Sequence, residues 1–174
     1  WRQMGNEGWG WDDVLPCFKR SEHWEDGESE LRGGSGPLTV SKTRLSRACV
    51  DRYVEAAQDA GYPYNDDYNG ETQEGIGYFQ LTADKGQRCS AAKAYLKPIR
   101  SRQNLSVLTG LQTRRILFDG QRVIGIEAGD EAAAKTIKAR REVILSAGAI
   151  GSPQILMLSG IGPADQLSAH GIEV

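Results

Sequence analysis

The chain has 174 residues, 39% of them hydrophobic, and a formal net charge of −2 with both signs interspersed. That length accommodates one ordinary core or two small domains, and the charge gives neither nucleic acid nor an anionic membrane a reason to bind. No apolar run reaches membrane-span length, no secretory leader opens the sequence, and Cys17, Cys49 and Cys89 are too scattered for a metal cluster.

Trp9 and Trp11 lead into a helix starting near Asp12, whose carboxylate can cap it, and Pro16 is compatible only with its early part. Residues 25–36 are acidic and glycine-rich, which reads as a solvated loop. Gly36-Pro37 then introduces a short strand at Leu38-Thr39-Val40. Leu45, Ala48, Cys49, Tyr53, Ala56, Ala57 and Ala60 recur at helical spacing, and Gly61 and Pro63 stop the helix. A polar loop over 65–74 precedes a strand expected around 76–81. A second helix spans 90–96 and ends before Pro98.

The second half reads mostly as strands. Leu105-Ser106-Val107-Leu108 is the first, followed by 114–118 and 123–126 joined in a hairpin at Asp119-Gly120. Another strand edge lies at 137–141, and Val143-Ile144-Leu145 reads as a fully buried strand. That strand dissolves into Ser146-Ala147-Gly148-Ala149. Ser152 then suits a helix N-cap, Pro153 suits the first helical position, and Gly160 ends the helix. A last helix starts at Pro163 and is capped by Gly171. The cysteines read as buried apolar fillers in a reducing compartment, which places the protein in the cytoplasm.

A strand meeting a helix through residues this small lets a ligand lie against bare backbone near the helix's positive end. The run Gly148-Ala149-Ile150-Gly151-Ser152-Pro153-Gln154-Ile155-Leu156-Met157-Leu158-Ser159-Gly160-Ile161-Gly162 resembles the second signature of the glucose–methanol–choline (GMC) oxidoreductases. Further segments are similar to the family in order along the chain: the Trp-rich stretch 8–22, Gly36–Val40, Asp67-Tyr68-Asn69-Gly70, residues 88–96 and Asn104–Val107. The choline-dehydrogenase-like branch is the nearest in appearance. It handles several alcohols, so the substrate stays open.

The resemblance implies an α+β piece of a GMC-type fold. Residues 1–86 would be a linker helix and part of the antiparallel-sheet substrate domain, and 87–174 part of the FAD-binding α/β domain. The parent activity it implies is oxidation of an alcohol CH–OH group by hydride transfer to FAD, with a histidine taking the hydroxyl proton. By position, Thr113 (where the family usually has Val) and Ser146, Ala147 and Gly148 are the implied cofactor contacts. The family's Gly-x-Gly-x-x-Gly unit has no counterpart here. The chain opens at Trp1 and stops at Gly171-Ile172-Glu173-Val174 in mid-pattern, which reads as an internal fragment, inactive alone. His23 lies in a charged run and His170 in a last helical turn, and neither matches the catalytic position, so no catalytic residue and no metal site is assigned. Arg88 and Ser90 read first as a surface arginine and an N-cap, second as shaping the substrate side.

Three other readings compete. The chain could be a purely structural or binding fragment. Asn65-Asp66-Asp67-Tyr68-Asn69-Gly70 mimics half of a calcium loop, but Ile76 stands where a bidentate glutamate is needed. An NAD-linked dehydrogenase has no fingerprint in its favour. Within the family reading, the 45–60 helix should pack on short antiparallel strands and the Asp119-Gly120 hairpin against the Val143 strand. The free flank of that strand should promote self-association.

Overall fold

The computed structural model describes residues 1–174 apart from the Glu131 side chain. The chain divides into two compact units, Trp1–Leu105 and Ser106–Val174. In the first unit, α1 spans Trp11–Ser21. Its cap is Gly10 rather than Asp12: the Asp13 carboxylate accepts the Gly10 N–H at 3.0 Å, reaching back from the first turn. Pro16 lies inside the helix as its sixth residue, deeper than expected. α1 runs straight into β1, Glu22–Trp24, which pairs in parallel with β2, Leu38–Val40.

Between those strands the chain is not a solvated loop throughout. Arg32 is 3% exposed and Gly33 is buried. α2 covers Ala48–Asp59 and buries Val54. The neighbouring 64–79 segment is irregular, so the strand expected at 76–81 is reduced to isolated bridges, Tyr64 with Ile76 and Ser41 with Leu81. A small hairpin follows, β3 Ala83–Asp84 and β4 Gln87–Arg88. The helix α3 is a π turn, Ala92–Leu96, continued by an α turn, Lys97–Ile99. It therefore passes Pro98, whose missing N–H is harmless at the start of the new α turn. Ser90 caps it, accepting the Lys93 N–H at 3.2 Å.

Leu105–Leu108, where the first unit gives way to the second, forms no strand. The hairpin does form: β5 Thr113–Asp119 and β6 Arg122–Ala128 turn at Asp119-Gly120, and β7 Lys135–Lys138 adds an antiparallel third strand. Gly125 is required in β6, because a Cβ there would meet the Ile137 carbonyl of β7. Val143-Ile144-Leu145 is not a strand, and Ile144 is 79% exposed. With no strand beside it, nothing satisfies an extended ladder there, and the hairpin lies instead against β7 and α4. α4 spans Gly148–Leu158 and α5 Ala164–Ala169. The α4 start precedes the expected one by a turn, so Ser152 and Pro153 are inside the helix.

The architecture is α+β with small sheets. Trp24, Val54, Cys89 and Ala94 form the buried apolar set of the first unit, and Ile116, Ala128, Ile155 and Leu167 that of the second. Only one cysteine is a core filler: Cys89 is buried, whereas Cys17 and Cys49 are exposed on helices. Among the described residues, no helix is long and apolar enough to cross a membrane.

Candidate cofactor surface

Ser146, Ala147 and Gly148 form the exposed approach to α4. Gly148 has φ +87°, a left-handed conformation that favours glycine, and a Cβ built there would meet no atom within 4 Å. The first turn of α4 carries no acidic residue and no side-chain cap on its own N–H groups. Ser152 reaches back instead, its Oγ accepting the Ala147 N–H at 2.9 Å. The remaining first-turn N–H groups lack intrahelical acceptors and stand beside open space, the positive end of an 11-residue helix. This donor set suits an anionic or polar ligand lying on backbone.

The other end of α4 is tied to the sheet. Ser159 Oγ accepts the Ile116 N–H of β5 at 2.8 Å and donates to the Ile155 carbonyl at 2.6 Å, between the buried Ile116 and Ile155 side chains. Thr113 begins β5 opposite Ala128, half-buried, and a ladder irregularity follows between Thr113 and Arg115. Such irregularities leave backbone polar groups outside the ladder. Thr113 and the 146–148 segment share one compact unit but exchange no hydrogen bond with each other.

The first unit holds a polar network that the sequence reading missed. Arg32 forks onto Glu22 (Nε to Oε2 3.1 Å, Nη2 to Oε1 2.9 Å), while its Nη1 reaches Asp67 Oδ1 at 2.6 Å and Gln80 Oε1 at 3.0 Å. Its guanidinium lies 4.3 Å from the centre of the Trp24 ring. No local spacing betrays this site, because Arg32 and Gln80 are 48 residues apart. Lys42 joins the 26 and 66 loops through Asp26 (2.7 Å) and Asp66 (2.9 Å), and these bonds raise its pKa. The Asn65–Gly70 oxygens are taken up by protein donors: Asn65 Oδ1 accepts the Asp67 N–H, Asp67 Oδ1 accepts the Asn69 N–H as well as Arg32, and Asp66 pairs with Lys42. Among the described residues, no group of three His, Cys, Asp or Glu is placed to hold a metal.

Beside α2, an aromatic cleft of about 540 Å³ is lined by Val50, Tyr53, Tyr68, Tyr78 and Phe79 among others. Tyr78 donates to Asp51, which also accepts from Ser46 at 2.8 Å. The Tyr78 bond, then the Ser46 bond, lowers the Asp51 pKa, and the same Asp51 bond pushes the Tyr78 phenol up to about 12. His23 and His170 are both exposed, and Arg88 is an exposed residue of β4.

The family model described as GMC oxidoreductase matches residues 1–172. The chain belongs to the GMC oxidoreductase family. It is 47% identical over all 174 residues to an oxygen-dependent choline dehydrogenase of Brucella anthropi and 45% identical to one of Rhizobium etli. In both cases it covers 100% of this chain and 32% of the relative, so the chain spans about a third of the length of these curated GMC proteins. Among solved structures, pyridoxine 4-oxidase from Mesorbium loti matches with a TM-score of 0.88 and 34% identity, over 97% of this chain and 33% of that one. An FAD-dependent oxidoreductase from Chaetomium thermophilum matches with a TM-score of 0.90 and 29% identity, over 100% and 33%.

Proposed function

We propose that these 174 residues form part of an FAD-dependent GMC enzyme that oxidises the CH–OH group of an alcohol, with choline-like alcohols first among the candidates. The observation that carries this reading is the open backbone at Ser146-Ala147-Gly148, whose unobstructed Gly148 and uncapped first turn fit a dinucleotide lying on the start of α4. When bound, FAD supplies the hydride acceptor for oxidation of the alcohol carbon. The chain's own residues bind and orient. Ser146–Gly148 offer backbone to the cofactor, the backbone around Thr113 offers a second contact, and Ser152 and Ser159 hold α4 at its two ends. On this reading residues 87–174 belong to the cofactor-binding part and 1–86 to the substrate-binding part.

The histidine that takes the hydroxyl proton is assigned to sequence outside this chain, because His23 and His170 are exposed and neither matches the family's catalytic position. The 174 residues alone should therefore turn over no alcohol, and the choice of alcohol rests on the relatives' activity. Although only Cys89 is buried, all three cysteines are free, which favours a cytoplasmic parent. The free outer edge of β7 favours self-association of the isolated chain.

A titration of the purified chain with FAD, read by quenching of flavin fluorescence, tests the cofactor reading. Saturable quenching that weakens in Gly148→Val, with helicity unchanged, is expected; quenching indifferent to Gly148→Val moves the surface elsewhere. Alcohol oxidation by the chain with FAD and an artificial electron acceptor would overturn the placement of the base.

A further inference from the structure

The first helix has an apolar face with nothing on it. Trp11, Leu15 and Phe18 recur at i, i+4 and i+7, the spacing that normally faces a core, yet α1 buries no residue, and Trp11 and Phe18 are 64% and 67% exposed. Phe18 is a ridge between two grooves of about 320 and 350 Å³. One is floored by Leu31 and Leu38, the other by Trp9, Val14 and Cys17. Exposed aromatics in one contiguous patch mark a contact surface rather than ordinary surface scatter.

Surface bookkeeping bears on what covers it. A compact 19.0 kDa protein exposes about 8,400 Å², and two separate globules of the sizes of the two units about 10,000 Å² together. This chain exposes 13,966 Å². The excess, on the order of 4,000 Å² on this chain alone, exceeds the roughly 1,000–2,500 Å² that one partner contributes to an obligate interface. The solved relatives carry this same fold, matched over 97% and 100% of the chain, inside polypeptides of which it is 33%.

We propose that the Trp11–Leu15–Phe18 face of α1, together with the Trp9–Val14–Cys17 groove on the other side of Phe18, is an internal seam, covered by polypeptide of the longer GMC protein lying outside these 174 residues. The proposal rests on family membership but not on flavin binding or turnover, so its test is separate from that of the cofactor surface. Cys17 is a native reporter: it is exposed and lines the groove beside Phe18, while the exposed Cys49 of α2 is an internal control. The experiment replaces the matching third of the Brucella anthropi choline dehydrogenase with these 174 residues. Maleimide labelling of Cys17 and Cys49 is then followed by peptide mass mapping in the chimera and in the isolated chain.

Labelling of Cys17 relative to Cys49 is expected to be at least about tenfold slower in the chimera than in the isolated chain, where it is fast at every protein concentration. Equal relative rates in the two proteins overturn the seam. So does protection of Cys17 in the isolated chain that grows with concentration, which assigns the face to a second copy. If the chimera does not fold, the Brucella enzyme with cysteine at the position aligned to Cys17 gives the same readout, and fast labelling there overturns the proposal.

Discussion

Arg32 illustrates how much one residue can organise. The residue is 3% exposed and its guanidinium donates to Glu22, Asp67 and Gln80 while lying over Trp24, so a single side chain joins β1 to two distant loops. Removing one partner of a buried ion pair leaves the other charges uncompensated. Because Glu22 and Asp67 retain 21% and 28% side-chain exposure, the low end of that range applies, and Arg32→Met is expected to cost about 3 kcal/mol in urea unfolding. Arg32→Lys keeps the charge but loses the planar fork, and should cost roughly 1–2 kcal/mol. Equal losses in the two variants would mean that the charge alone carries nothing, and no loss in Arg32→Lys would mean the same of the fork geometry. The Tyr78–Asp51 bond makes a second prediction, in pH. Asp51 titrates lower in the folded chain, so its contribution is present above its ordinary value of 3.8 and is lost as pH falls through the depressed folded value. Tyr78 titrates higher, so its contribution is complete below 10.0 and is lost as pH rises towards about 12. In Tyr78→Phe the alkaline limb of the urea midpoint between those two values should flatten, and an unchanged limb would assign it to another group.

At the level of elements, the α4–β5 junction depends on one hydroxyl. Ser159→Ala would leave the Ile116 N–H without its acceptor in a part-buried site, at an expected cost of about 1–2 kcal/mol, with faster exchange of the Ile116 amide while the β6–β7 amides stay protected. Uniformly faster exchange would show that the hydroxyl supports the whole sheet. What could be read in advance at this scale follows from how local each signal is. The hairpin at Asp119-Gly120 and the strand Leu38–Val40 formed as read, and α2 falls within the expected span, because turn chemistry and helical periodicity are encoded within a few residues. Leu105–Leu108 and Val143–Leu145 carry the apolar residues of strands, but a strand also needs a neighbour to pair with, and none lies beside them. β1 escaped notice for the converse reason: its partner Leu38–Val40 lies across an intervening acidic loop, and three polar-flanked residues have no period of their own. The cap of α4 moved for a local reason, since Gly148 takes φ +87° and starts the helix before Ser152 can. Of the cofactor surface, the small-residue run was visible, whereas the Ser159 tie and the Arg32 network exist only once distant segments meet.

For the whole molecule, the surface excess has a thermodynamic signature. An unfolded chain of 19.0 kDa exposes about 27,500 Å² on the extended reference, so a compact fold would bury about 19,000 Å² of it. With 13,966 Å² still exposed, this chain buries about 13,500 Å². The urea dependence of unfolding scales with that difference, and both figures share the same extended reference, so their ratio is more secure than either alone. The summed slope for the isolated chain is therefore expected to be about 70% of that of size-matched single domains. Two compact units can also melt separately, in which case the slopes of the two transitions are added before comparison. A full-sized slope at low micromolar concentration would mean that the exposed faces find cover in the isolated chain. Light scattering at tens of micromolar then separates the alternatives: a growing mass points to the free β7 edge, and a strict monomer means that the chain folds more tightly on itself than its 13,966 Å² of surface allows.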